Sequence, residues 1–232
     1  MRWSSKEALL VDALSLRMAR VTDVDTGTPT VYAGLMLDLE ERGDVVIVRL
    51  AHGKVNALDL ELLLAITEAI FDHPGPVVAA VNGHAIAGGC VIAADGDVRL
   101  MSQGKIGLTE LSVGVPFPAV PMEIMRHAIG PAVGHLVLTA ALLDPVQAQS
   151  IGLVHHVCEA DVLLDSAIDL ARQMARTPVD VFSVSKRQLQ QPARDRIAAR
   201  SGDAEAVAET WSSDRTRDGI ARYLAALRER TR

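Results

Sequence analysis

The chain has 232 residues, 49% of them apolar and only 3% aromatic, and a formal net charge of −6. That length fits one large α/β domain, or one domain with extra helices, with a core filled by Leu, Val, Ile and Ala. An acidic chain without a clustered basic face argues against a nucleic-acid partner, two cysteines (Cys90 and Cys158) are too few for a disulfide framework or a four-thiolate metal site, and no apolar run is long enough to span a membrane.

Met1 to Arg20 reads as an amphipathic helix outside the main fold, apolar at Leu9, Leu10, Ala13, Leu14 and Leu16. Glu7, Asp12 and the lack of a cleavage site argue against a targeting peptide. Residues 1–33 are therefore expected to be an extension, with 22–33 as linker. The core is placed at 34–160 and a helical region at 161–232. Leu35–Glu40 and Val45–Leu50 alternate apolar and polar residues around Gly43-Asp44, the pattern of a β-hairpin. Leu58 to Phe71 carries apolar residues at helical spacing and is stopped by Pro74 and Pro76. Val77–Val81 is wholly apolar, as a strand buried on both faces would be.

That strand runs into the glycine-rich turn Asn82-Gly-His-Ala-Ile-Ala-Gly-Gly-Cys90, which opens a short helix over 88–94. Short strands are predicted at 97–101 and 106–108, and helices at 121–129 and 133–142. A helix capped by Asp144-Pro145 and a strand at 153–157 follow. The remainder reads as helices at 161–176, 178–190, 203–212 and 215–230. The apolar stripe of Trp211, Ile220, Tyr223, Leu224 and Leu227 needs a partner surface. Strand–helix alternation ahead of a helical tail gives an α/β core with a helical appendage.

The chemistry concentrates at two places. N–H groups at the start of a helix sit at the positive end of its dipole and can hold a developing oxyanion; Gly88 and Gly89 are in that position. Glu110, among Leu108, Leu111, Val113, Val115 and Phe117, is an acid/base candidate whose pKa an apolar setting would raise. The alternatives are a tight packing turn for the glycines and a solvated or capping charge for Glu110. His84 reads as a hydrogen-bonded structural histidine. Asp95 and Asp97 read as a helix cap and a strand start. His155-His156 lacks a third ligand nearby, so no metal is expected.

Taken in order, Lys54-Val-Asn-Ala-Leu58, Pro76 to Cys90, Asp97-Val-Arg-Leu, Gly107-Leu-Thr-Glu-Leu-Ser-Val-Gly114 and Ala148-Gln-Ser-Ile-Gly-Leu-Val154 resemble the crotonase superfamily, the enoyl-CoA hydratases and isomerases, over about Leu35 to Arg230. The resemblance implies a spiral of ββα turns with a C-terminal helical trimerisation region. It also implies a homotrimer or hexamer, a cytoplasmic location, and a coenzyme A thioester as substrate with no separate cofactor. Gly88 would supply one of two oxyanion N–H groups. Glu110 would be the catalytic carboxylate. Lys54, Val55 and Ala57 would lie along the coenzyme, and Ala87, Gly89, Val91, Leu111, Val113 and Phe117 around the acyl thioester. Val91 stands where a hydratase of the family has the first of its two glutamates, which points to a double-bond isomerase. A hydratase and a non-catalytic acyl-CoA-binding or oligomerising protein are the alternatives. Only nineteen residues separate Asn56 from Pro76, far fewer than in the family. The resemblance therefore implies an internal deletion between Ile70 and Phe71 that removes a strand, the first oxyanion loop and a helix that covers the acyl pocket.

Overall fold

The structure is a computed structural model and describes residues 8–12, 19–20, 30–31, 37–50 and 60–200, with isolated positions between 207 and 222. In chain order it contains β1 (Ala8–Asp12), β2 (Ala19–Arg20), β3 (Thr30–Val31), β4 (Leu37–Arg42), β5 (Val45–Leu50), α1 (Leu60–Phe71), β6 (Val77–Val81), β7 (Ala85–Ile86), α2 (Gly88–Asp95), β8 (Val98–Met101) and β9 (Ile106–Gly107). A 3-10 turn (Glu110–Val113) follows, then α3 (Ala119–Ile129), α4 (Ala132–Thr139), β10 (Leu142–Leu143), α5 (Pro145–Ser150), β11 (His156–Val157), α6 (Leu163–Met174) and α7 (Val179–Ala199).

The main sheet has six strands in the order β11-β8-β6-β1-β5-β4. Only the β4–β5 hairpin is antiparallel; β5, β1, β6, β8 and β11 run parallel. Both faces are covered, so the strands alternate between two apolar cores. Val45, Ile47, Val78, Ala80 and Leu100 face Leu163, Ala167, Ile168 and Ala171 of α6. Val48, Leu50, Val77 and Val81 face the other way, toward Leu63, Ile66 and Ile70 of α1 and the buried residues of α2, α3 and α4. A fully buried Ile or Leu contributes roughly 2–3 kcal/mol relative to exposure, so Ile47, Ile66 and Ile92, at 0% exposure, anchor the two layers.

The hairpin, α1, β6 and α2 stand where the pattern places them. The Asp144 cap is complete. Its carboxylate accepts the N–H of Gln147, whose side chain accepts the N–H of Asp144 in return. Three expectations are corrected. The helix expected over Met1 to Arg20 is overturned where that stretch is described: Ala8–Asp12 is a central strand of the main sheet, so the boundary at residue 33 does not separate an extension from the core. A strand flanked by two open ladders gains hydrogen bonds on both edges, which outweighs a weak local helical period. The stretch 22–33 is not all linker, since Thr30–Val31 pairs with Ala19–Arg20. The helix expected at 178–190 continues to Ala199 with Pro192 inside it. Lys54, Val55, Ala57, Trp211, Ile220, Tyr223, Leu224 and Leu227 lie outside the described residues.

Candidate active site

The glycine-rich turn is built by a short parallel pairing. Ala85 and Ile86 of β7 register with Ile106 and Gly107 of β9, and the Ala87 N–H donates to the Gly107 carbonyl at 2.8 Å. Ala87 then turns at φ 55°, ψ −121°, a region that costs a non-glycine residue of order 1–3 kcal/mol. The turn aims the Ala87 carbonyl into the helix, where it accepts the N–H groups of Cys90 and Val91 at 2.9 and 3.2 Å. The first residues of a helix have no intrahelical acceptor. The N–H groups of Gly88 and Gly89, the first two residues of α2, therefore remain available at its positive end. A Cβ placed on Gly89 would meet nothing within 4 Å, so the space beside the turn is open.

Glu110 stands three residues beyond Gly107, at the start of the 3-10 turn. That turn is closed by Gly114 at φ 79°, and the Val115 N–H returns to the Glu110 carbonyl at 3.0 Å. Only 5% of Glu110 is exposed. Its Oε2 is buried with no hydrogen-bond partner among the described residues. Desolvation raises its pKa to about 7, against weaker opposing help from the N–H groups of Glu110 itself and Thr109. A carboxyl balanced there can take up and return a proton near neutrality.

The β7–β9 pairing ties the Gly88 and Glu110 loops together. The Glu110 charge also reaches Cys90, in the first turn of α2. Burial raises the Cys90 thiol pKa most, and Glu110 raises it further. The remaining site residues divide. Ala87 and Gly89 are half-buried at the turn. Leu111 is 38% exposed, Val113 is half-buried, and Phe117 packs against the main core. Val91 is fully buried, so its side chain is a core residue rather than a wall of the open space. Gly219 approaches so closely that a Cβ there would lie 2.1 Å from the Val113 carbonyl oxygen, which brings the C-terminal helical region onto the Glu110 turn.

His84 accepts the Lys105 N–H at 3.1 Å, the structural role expected. Asp95 is the last residue of α2 and not its cap, which is Gly96, while Asp97 directly precedes β8 as expected. Asp97 accepts the Val77 N–H at 2.8 Å and pairs with Lys186 at 2.9 Å. Both Asp95 carboxyl oxygens are buried without a hydrogen-bond partner among the described residues, and burial raises its pKa well above the usual carboxylate range. Lys186 is buried. Nothing in the sequence marked it, because its partner is 89 positions away. No group of three metal-ligating side chains occurs among the described residues. Two clefts, of about 370 and 390 Å³, flank α7; one lies by Phe71 and His73, the other by Asp95 and Arg99. Neither is lined by Gly88 or Glu110. The turn remains the candidate because the β7–β9 pairing ties the start of α2 to the loop that carries the buried Glu110 carboxyl.

A family model described as Enoyl-CoA hydratase/isomerase matches residues 42–230. The chain is 30% identical over 128 residues to a putative enoyl-CoA hydratase of Thermus thermophilus, covering 55% of this chain and 51% of that protein. It is 28% identical over 152 residues to the short-chain-enoyl-CoA hydratase of Clostridium acetobutylicum, covering 64% and 58% respectively. The chain thus spans about half the length of the curated relatives it matches. Human mitochondrial delta3-delta2-enoyl-CoA isomerase shares the fold with a TM-score of 0.75 at 19% identity, covering 84% of this chain and 98% of that one.

Proposed function

The chain belongs to the enoyl-CoA hydratase/isomerase family, and on that premise we propose that it moves a double bond in an enoyl-CoA thioester. Glu110 takes a proton from C2 of a 3-enoyl thioester. The electron pair shifts onto the thioester oxygen, held by the Gly88 N–H. The same carboxyl returns the proton at C4 as the enolate collapses to the 2-enoyl product, so no atom is gained or lost. Three observations support the reading: a carboxyl with a buried, unpartnered oxygen, its pKa about 7, and a helix start tied beside it. The first carries the most weight. A structural carboxylate at 5% exposure is normally paired on both oxygens, whereas a proton carrier needs one left open. The thioester is the only small molecule this chemistry requires.

A hydratase is the second reading, favoured by the names of the sequence relatives. It is disfavoured by a single candidate carboxylate with Val91 buried two residues past the Gly-Gly pair. Incubation with 3-enoyl-CoA and with crotonyl-CoA separates the two, because isomerisation forms conjugated thioester absorbance and hydration removes it. Glu110→Gln is expected to lower isomerisation on the order of 10²-fold or more. Undiminished turnover in that variant removes Glu110 from the mechanism, and thioester binding without either conversion leaves the binding-protein reading. We further propose assembly as a homotrimer or hexamer, checked by light scattering, and a cytoplasmic location, checked by fractionation. No helix among the described residues is long and apolar enough to cross a membrane.

A further inference from the structure

The last described helical positions, between 214 and 222, have a buried side and an exposed side. Ser213 caps them: its Oγ accepts the Thr216 N–H at 3.3 Å, and the Thr216 hydroxyl donates to the Thr210 carbonyl at 2.7 Å. Thr216 and Gly219 are buried, whereas Asp214, Asp218, Ala221 and Arg222 are exposed. Residues three or four apart share a helix face, so Thr216 and Gly219 mark the side turned inward. Gly219 meets the end of the Glu110 turn there. A Cβ on Gly219 would overlap the Val113 carbonyl oxygen and stand 3.1 Å from its carbon. Both atoms are backbone and cannot swing aside as a side-chain tip would, so only glycine allows so close an approach. Val113 ends the 3-10 turn that Glu110 begins, and that turn is stiff. The Ser112 N–H and hydroxyl both return to the Thr109 carbonyl, at 3.0 and 2.6 Å. The Gly114 N–H donates to the Leu111 carbonyl at 3.1 Å and the Val115 N–H to the Glu110 carbonyl at 3.0 Å. A push on Val113 is therefore passed to Glu110, three residues away.

We propose that Gly219 is a positioning residue for Glu110: its missing side chain lets the C-terminal helix seat directly on the Val113 carbonyl, and that seat fixes where the Glu110 carboxyl stands. The effect on turnover rests on the proton-transfer reading above; the placement of Glu110 rests on the contact alone. Burial rather than a neighbouring charge sets the Glu110 pKa. The charged residues of the C-terminal helix, Asp214, Asp218 and Arg222, are exposed, as is His135, the one titratable residue of α4, which also packs on the turn. Cys90 of α2 is the described group that feels the Glu110 charge. A displaced turn thus acts on Glu110 by letting water reach it.

Gly219→Ala in the full chain tests this, with Asp218→Ala, its exposed neighbour, as control. In a helix that touched nothing, alanine for glycine would be stabilising. Here kcat on a 3-enoyl-CoA is expected to fall at least about tenfold with KM within about twofold, because misplacing a reacting group by about 1 Å can cost 10²-fold; Asp218→Ala is expected to change neither. A second readout needs no turnover. The urea stability of the wild type relative to its Glu110→Gln variant changes with pH because the Glu110 pKa is raised to about 7. In the Gly219→Ala background that difference is expected to lose at least about half of its pH dependence, as water reaches the carboxyl and its pKa falls back. An unchanged pH dependence overturns the positioning of Glu110, whatever kcat does, and an unchanged kcat in an active enzyme overturns it too. A lost pH dependence with no isomerisation in any of the proteins upholds the seat and removes the isomerase reading. Should Gly219→Ala fail to fold, hydrogen exchange of the wild type in mild urea decides: peptides spanning 207–222 and 108–115 are expected to open in step, and a turn that stays protected while the helix exchanges overturns the proposal.

Discussion

Replacing Glu110 by glutamine is expected to stabilise the protein at about pH 8 and not at about pH 4. The folded pKa is raised from 4.5 to about 7, chiefly by desolvation. Below the unfolded value the carboxyl is protonated in both states and carries no penalty. Between the two values the unfolded chain is ionised while the folded chain keeps its proton. Unfolding then releases a proton, and stability falls by about 1.4 kcal/mol per pH unit. Above the folded value both states are ionised and the loss is complete, about 3 kcal/mol in all. Glutamine has no charge to desolvate, so the variant lacks this slope. It carries instead a pH-independent cost of about 1 kcal/mol for a buried amide with an unmet donor. The difference between variant and wild type should therefore run from about −1 kcal/mol at low pH to about +2 kcal/mol at high pH. Urea unfolding of both proteins across that range measures it, and all other titrating groups cancel in the subtraction. A difference that stays flat with pH would falsify the buried, unpartnered state of Glu110 on which the proton-transfer reading rests.

Ala87→Gly should raise stability by about 1 kcal/mol, because relief of the strained φ of 55° exceeds the entropy glycine loses on folding; urea midpoints decide the sign. Gly104→Ala should cost about 3 kcal/mol and lower turnover. Its Cβ would lie 2.4 Å from the Gly83 carbonyl at a φ of +91° and would push the backbone that leads into the Gly88 turn; a normal thermal midpoint refutes this. Lys186→Met should destabilise by about 3 kcal/mol by leaving the largely buried Asp97 carboxylate without its cation, while Lys186→Arg should lose less; equal midpoints for both would show that packing, not charge, holds α7 there.

The parts of the fold written in local pattern were readable in advance. The β4–β5 hairpin, α1, β6 and the Asp144 cap are set by residues within one or two turns of each other, so periodicity and capping chemistry locate them. The Gly88 turn and Glu110 were legible because a glycine pair at a helix start and a carboxylate among apolar neighbours are themselves local signatures. The pairing that brings them together, β7 on β9, was not, because two-residue strands carry no period.

What only the tertiary structure decided is long-range. The sequence around Leu9–Asp12 supports a helix as readily as a strand, and the open ladders of β5 and β6 choose between them by accepting its backbone on both sides. Lys186 meets Asp97 only because α7 packs against β8's approach, 89 positions away in sequence. Val91 kept its apolar character but acquired its meaning from being sealed in the core. Composition and spacing thus determined which elements form and which groups can carry a proton. Backbone hydrogen bonding and burial between distant segments determined which of those groups stand alone in a dry site, because desolvation depends on neighbours that sequence adjacency does not supply.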